Sequence, residues 1–284
     1  MTVLEVIQKS AEFLARKGVE SPRLQTELLL AHVLKMPRMK LYLNFERALS
    51  ESELTAFRDL VKRRGQREPL QHIVGCASFC GLELAVNRHV LVPRPETELL
   101  AEQGWQFLST LEPQPATALD YGTGSGCLAI ALAVKCPPAR VFAVDTSADA
   151  LDVAQQNAAR HNVADRIRFF HGDGFAALPS GTSFDLIISN PPYIPTAQIE
   201  ALQPEVRNHE PRQALDGGLD GLDGFRRLAT EAGAFLKSGG RIMVEFGDGQ
   251  EDQVCEIFEG QNWVVVEVKQ DYTQRPRILI ARRV

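Results

Sequence analysis

From residue 115 onward the chain alternates apolar runs with stretches of helical period, and that alternation changes near the end. "ATALDYG" (116–122), "RVFAVD" (140–145), "IRFFHGD" (167–173), "FDLIIS" (184–189) and "GRIMVEFG" (240–247) read as successive strands. Helical segments "CLAIALAVKC", "ADALDVAQQNAARHN" and "GFRRLATEAGAFLK" lie between them. Such alternation is the pattern of a doubly wound sheet of parallel strands. The last two runs, "NWVVVEVKQD" (262–271) and "RPRILIARR" (275–283), are joined by too few residues for a crossover helix. They must therefore run antiparallel. A parallel sheet closed by an antiparallel pair differs from the sheet of the usual dinucleotide dehydrogenase.

Residues 1–75 read instead as helices, a small N-terminal domain. Val3, Ile7, Ala11 and Leu14 fall on one helical face. Ser21-Pro22 reads as an N-cap followed by proline at the first helical position. Ser50 with Glu53 has capping-box spacing. His32 lies in an apolar stretch and reads as a packed core histidine. Over 76–92 the period falls to two, and "CASFCGLELAV" reads as a hairpin linker around Gly81. The second, larger domain is then 93–284.

With 284 residues, 44% of them apolar, the chain has ordinary globular composition. Its five cysteines are scattered without paired CxxC spacing, so no metal site or disulfide framework is expected. The N-terminal segment is an amphipathic helix containing acids, unlike a signal peptide, and "CLAIALAV" is too short to span a bilayer. These features suit a soluble cytoplasmic protein. Residues 1–75 hold 13 Lys and Arg against nine Asp and Glu, a net of +4, which leaves −9 for the remainder of a chain at −5. A negative larger domain argues against nucleic-acid binding. The basic run "VKRRGQR" (61–67) reads as a solvated helix end before it reads as a docking patch.

Two motifs carry chemistry. "LDYGTGSGCLAIALA" places Gly122, Thr123, Gly124, Ser125 and Gly126 in the turn from first strand to first helix, where a ligand can approach the backbone. Asp120 ends the strand before that turn. Asp145 ends the second strand 19 residues after Gly126, where a carboxylate can accept hydrogen bonds from ribose hydroxyls. This spacing suits NAD and S-adenosylmethionine alike. Asp173, in "HGDGF", follows the third strand and suits either an adenine contact or a helix cap.

The second motif, Asn190-Pro191-Pro192-Tyr193, follows the fourth strand. Ligands of such sheets bind outside the carboxyl ends of the strands. A planar –NH₂ conjugated to a carbonyl or ring is a poor nucleophile because its lone pair is delocalised. The Asn190 side-chain oxygen and the Pro191 carbonyl can accept its two N–H groups and fix the nitrogen as charge develops. Prolines hold those acceptors rigid, and the Tyr193 face suits a planar group and a cationic methyl. Adenine, cytosine and a glutamine amide all present the required NH₂.

The chain resembles the peptide-chain release-factor glutamine methyltransferases (PrmC/HemK) over nearly its whole length. "REPLQHIVGCASFCGLELAVNRHVLVPRPETELL", "LDYGTGSGCLAIALA", "AVDTSADAL", "FDLIISNPPYIP" and "EVRNHEPRQALDGGLDGLDGFRRL" carry the resemblance. "PRPETE" and "HEPRQALDGGLDGL" are its most specific parts. The resemblance implies a Rossmann-like class I S-adenosylmethionine-dependent methyltransferase sheet and a helical domain that helps hold a protein substrate. It implies methylation of the glutamine amide in the Gly-Gly-Gln motif of class I release factors. By position, Gly122 to Gly126, Asp145, Asp173, Gly174 and Asn190 would bind the cofactor. Asn190 to Tyr193 would hold the glutamine, and Arg94, Glu96 and Thr97 would shape the site wall. Glu210 and Pro211 would contact substrate or order the loop. Gly174 departs from relatives that carry a larger residue near the adenine. The competing readings are a DNA adenine-N6 or RNA guanine methyltransferase and a non-catalytic S-adenosylmethionine-binding module. A basic recognition domain would favour the first, a degraded clamp the second.

Overall fold

The computed structural model describes residues 1–111 and 115–284. The chain divides into two compact units, one of residues 1–76 with 202–209 and one of 77–201 with 210–284. Sequence reading gave 202–209 to the catalytic part; it belongs with the helices.

The first unit contains helices α1 (Val3–Arg16), α2 (Pro22–Val33), α3 (Arg38–Leu41), α4 (Glu51–Gly65) and α5 (Leu70–Val74), together with α9 (Pro204–His209). Thr2 with Glu5, and Ser50 with Glu53, form complete capping boxes at α1 and α4. Ser21 does not cap α2: its φ is 46° and its side chain makes no cap bond, so Pro22 alone starts the helix. Val3, Ile7 and Leu14 are buried against Leu29, Leu30, Leu54 and Phe57, while Ala11 is half-buried. His32 is exposed, contrary to the sequence expectation; the buried face of α2 runs through Leu29, Leu30 and Ala31.

The basic run is not a solvated helix end. Arg64 is buried, and its guanidinium donates to Glu205 Oε1 at 2.7 Å. Arg67 donates to both oxygens of Glu205 at 2.6 Å, and Arg63 pairs with Glu68 at 2.5 Å. The guanidinium pair thus fastens α9 onto the helices.

The second unit opens with a hairpin, β1 (Cys76–Phe79) and β2 (Leu82–Ala85), then α6 (Pro95–Ser109). Its sheet contains β3 (Thr117–Tyr121), β4 (Arg140–Asp145), β5 (Ile167–His171), β6 (Phe184–Ser189), β7 (Leu236–Glu245), β8 (Trp263–Gln270) and β9 (Pro276–Arg283). Helices α7 (Cys127–Lys135) and α8 (Ala148–Arg160) match the sequence reading; α10 (Asp223–Glu231) gives way to a 3₁₀ turn at Ala232–Phe235 before the end of its expected span, and α11 (Glu251–Glu259) was not read. Strand order is β5-β4-β3-β6-β7-β9-β8. β3, β4, β5, β6 and β7 are mutually parallel, and β9 runs antiparallel to both β7 and β8.

Successive strand residues face opposite sides, so a sheet covered on both faces needs continuous apolar runs. In β6, Leu186 and Ile188 enter one core and Ile187 the other; in β7, Met243 faces the first and Ile242 and Val244 the second. All six are essentially fully buried, each worth about 1.5–3 kcal/mol over exposure. Strand order reverses between β3 and β6, which opens a crevice at their carboxyl ends. Both sequence motifs emerge there. No helix among the described residues is long and apolar enough to cross a membrane.

Candidate active site

At the end of β3 the backbone N–H groups of Gly122 and Thr123 both donate to Val144 O, at 2.9 and 3.0 Å, which folds the turn over β4. A Cβ on Gly122 or Gly124 would meet nothing within 4 Å, so this backbone lies open. Gly126 has the opposite role: with φ of 80°, its Cβ position lies 3.0 Å from Ala154 Cβ, where α7 starts tightly against α8. A cavity of about 370 Å³ lies over the turn, lined by Gly122, Gly124, Asp145, Gly174, Asn190 and Pro191 among others.

Asp145 Oδ2 accepts from Gly124 N at 2.8 Å and Oδ1 from Ser147 N at 2.9 Å. Each oxygen retains a lone pair for a ligand hydroxyl. Asp173 also lines the cavity, but its carboxylate is exposed and ion-paired with Arg227. It occupies the cap position of the 3₁₀ turn Gly174–Ala177 without making a side-chain cap bond. Gly174, at φ of 60°, takes glycine because Tyr121 fills the space a side chain would use. The bulk absent at residue 174 is supplied from β3.

Three turn residues do not face the cavity. Thr123 is buried and its hydroxyl donates to Asp120 Oδ2 at 2.6 Å. Ser125 is buried with its carbonyl accepting from Asn157 Nδ2 at 3.0 Å, and Gly126 packs on α8 as described. The side chains of Thr123 and Ser125 and the packing of Gly126 hold the turn's shape, and none of the three is among the cavity-lining residues. Asp120 also accepts from Ala129 N at 3.0 Å, yet its Oδ1 is buried without a hydrogen-bond partner. Burial, opposed by those hydrogen bonds, pushes its carboxyl up to about 7.

The segment after β6 is built to stop a strand and hold a shape. Pro191 and Pro192 lack the N–H groups a ladder needs. Ser189 Oγ donates to Tyr121 O at 2.7 Å, tying the end of β6 to that of β3. Beyond the prolines, Ile194 N donates to Leu215 O (3.0 Å) and Gly217 N to Ile194 O (2.9 Å). The glycine-rich loop 215–224 therefore lies flat against the motif. A Cβ on Gly217 would sit 2.8 Å from Pro192 O, one on Gly224 would sit 3.0 Å from Pro191 Cβ, and one on Gly221 would overlap Tyr193 O. Close backbone approach explains glycine at these positions in "LDGGLDGLDG". Gln250 completes the wrap, its amide donating to Tyr193 O at 3.0 Å and accepting from Gly247 N at 2.8 Å.

Asn190, Pro191 and Pro192 line the cavity, but Tyr193 does not. The tyrosine hydroxyl donates to Glu245 Oε1 at 3.4 Å, and burial with the nearby carboxylate pushes the phenol up. Arg94 and Glu96 also lie outside the lining. Arg94 donates to both oxygens of Glu210, at 2.8 and 2.7 Å; burial raises the Glu210 carboxyl, with Arg94 opposing. This pair orders the loop whose next residue, Pro211, lines the cavity. Sequence reading missed Glu245, which is buried at the end of β7 and accepts from Thr97 Oγ1 at 2.7 Å. Thr97 in turn accepts from Asn190 Nδ2 at 3.1 Å. An acid closing the apolar run "RIMV" was the available signal.

The comparisons fall on both units. The PrmC N-terminal domain profile matches residues 5–75, and the methyltransferase small domain profile matches 102–207. A release factor glutamine methyltransferase of Geobacter sulfurreducens is 48% identical over 90% of this chain and 88% of its own length. One from Chlorobaculum tepidum is 43% identical over 97% and 95%. In structure, a methyltransferase from Pyrococcus furiosus superposes with a TM-score of 0.53 at 20% identity, covering 78% of this chain and 97% of that one, which supports the fold. At these identities and coverages the chain belongs to the release factor glutamine methyltransferase family.

Proposed function

We propose that this protein transfers a methyl group from S-adenosylmethionine to the side-chain amide nitrogen of the Gly-Gly-Gln glutamine in class I release factors, in the cytoplasm. The observation that carries the reading is the Asn190 amide: its Nδ2 is held by Thr97, which directs Oδ1 away from that bond as an acceptor at the cavity wall.

The residues present fit the cofactor. Open backbone at Gly122 and Gly124, the Asp145 carboxylate and a cavity of about 370 Å³ suit a nucleoside with a charged tail. Asp145 would take the ribose hydroxyls, Gly122 and Gly124 the close backbone approach, and Gly174 with Tyr121 the wall nearby. Asp173, already paired with Arg227, would contribute at the rim. When bound, S-adenosylmethionine supplies an electrophilic methyl on a sulfonium.

The chain's own task is to present a weak nucleophile. Asn190 Oδ1 and the Pro191 carbonyl accept the two amide N–H bonds and fix the nitrogen against the cavity. As the nitrogen gains a bond its proton becomes acidic, so no residue has to remove it before attack. Pro191 and Pro192, wrapped by the 215–224 loop, keep both acceptors in place. Tyr193 anchors that shape from behind through Glu245. A nucleic-acid amino group has the same local chemistry, but residues 76–284 carry a net charge of −9.

Single-turnover methylation of a release factor by Asn190→Ala tests the assignment. Turnover should be lost while calorimetry shows cofactor affinity largely kept. Retained turnover would remove Asn190 from the clamp.

A further inference from the structure

Three groups far apart in sequence form one line of hydrogen bonds behind the amide clamp. Glu245, on β7, accepts from Thr97 Oγ1 on α6 at 2.7 Å, and Thr97 accepts from Asn190 Nδ2 at 3.1 Å. Glu245 and Thr97 are both at least nine-tenths buried, so the bond between them is shielded from water.

The direction of the line matters. A carboxylate can only accept, so a hydroxyl facing it must spend its single proton there. That hydroxyl then has only lone pairs for Asn190, which must answer with Nδ2. The amide oxygen is thereby turned the other way. A neutral carboxyl can donate to the hydroxyl, which frees the hydroxyl proton for Asn190 Oδ1 and reverses the amide.

We propose that Glu245 is a positioning residue whose carboxylate, acting through Thr97, fixes which end of the Asn190 amide faces the substrate. The inference rests on the clamp role given to Asn190 above. Glu245 touches no substrate; it sets the polarity of a group that does. Its surroundings bear on its charge: burial and Glu96 on α6 oppose ionisation, and Arg277 on β9 with the hydroxyls of Thr97 and Tyr193 favours it. Burial prevails and pushes the carboxyl up to about 7. Methyl transfer therefore rises as pH rises through about 7, because the carboxylate form is the one that holds Asn190 correctly.

The test uses the full chain and two readouts. Thr97→Val removes the hydroxyl at constant shape and should lower the single-turnover rate about tenfold, the worth of one hydrogen bond, with Thr97→Ser restoring most of it. Glu245→Gln should flatten the rise in rate near neutral pH while cofactor affinity stays measurable. Independently of turnover, the Asn190 side-chain amide resonances of the unsubstituted protein should titrate with the same midpoint as the rate. In Thr97→Val they should lose their protection from solvent exchange.

If the unsubstituted protein methylates no release-factor glutamine, the functional reading fails, and the Asn190 resonances still decide the relay. Resonances that do not move between pH 5 and pH 9 (roughly two units either side of the Glu245 midpoint) would overturn it. So would a Thr97→Val rate equal to that of the unsubstituted chain.

Discussion

The hydroxyl of Tyr121 occupies the space that a side chain at Gly174 would need. A Cβ there would overlap the hydroxyl and lie 2.9 Å from ring carbons, on a backbone already at φ of 60°. The Tyr121 ring is itself packed on Phe175, with centroids 4.9 Å apart, so it has little room to withdraw. Tyrosine at the end of β3 and glycine after β5 are two halves of one wall of the cavity.

Gly174→Ala should therefore cost about 1–3 kcal/mol of stability through backbone strain and displacement of Tyr121. Cofactor affinity should fall with it. Chemical denaturation and calorimetry check both; an alanine variant that binds as tightly as the parent would remove Tyr121 from the wall.

Glu205 should govern how firmly residues 202–209 are held to the helical unit. Burial opposes its ionisation, but hydrogen bonds from Arg67 and Arg64 outweigh burial and hold the carboxyl below its usual range. A depressed pKa stabilises above the unfolded value and is lost as pH falls through the folded one. Glu205→Gln leaves the buried Arg64 charge without its partner and should cost about 2–4 kcal/mol near neutral pH. Hydrogen exchange should show faster opening of 202–209 in the variant. The difference between the two proteins should shrink below about pH 4. Equal exchange at neutral pH would contradict this role.

Glu245 works in the other direction. Its folded pKa is about 7, against an ordinary 4.5. A raised carboxyl pKa stabilises fully below the unfolded value, and that contribution is lost as pH rises through the folded one. Between pH 4.5 and 7 the parent should lose roughly 3 kcal/mol at most relative to Glu245→Gln. Urea unfolding of both proteins at acid and at mildly alkaline pH measures the change. Parallel pH dependences would mean that the buried carboxyl does not titrate in this range.

Much of this molecule could be read from its sequence because its signals are local. Strand–helix alternation, the short link before β9 and the prolines after β6 each act within a few residues. The glycine turn was legible as a turn, but not which of its members face outward, since Thr123 and Ser125 are withdrawn by Asp120 and Asn157 from elsewhere. Partnerships across long separations were not legible. Arg64 and Arg67 looked like a solvated helix end because Glu205 lies far along the chain. Glu245 looked like an ordinary strand end until Thr97 was placed against it. One missed element had a local signal. Val254 and Phe258 are spaced as one buried helix face, which α11 confirms. His32 shares a face with Leu24 and Leu28, an apolar stripe that the fold leaves largely uncovered, so its exposure was not legible.

Whether this protein methylates a glutamine amide is decided by mass spectrometry of its substrate. A class I release factor incubated with this protein and S-adenosylmethionine should gain one methyl, on the glutamine of its Gly-Gly-Gln peptide. That glutamine left unmodified by folded, cofactor-binding protein would rule out glutamine methylation and assign the Asn190 clamp to a different amino group.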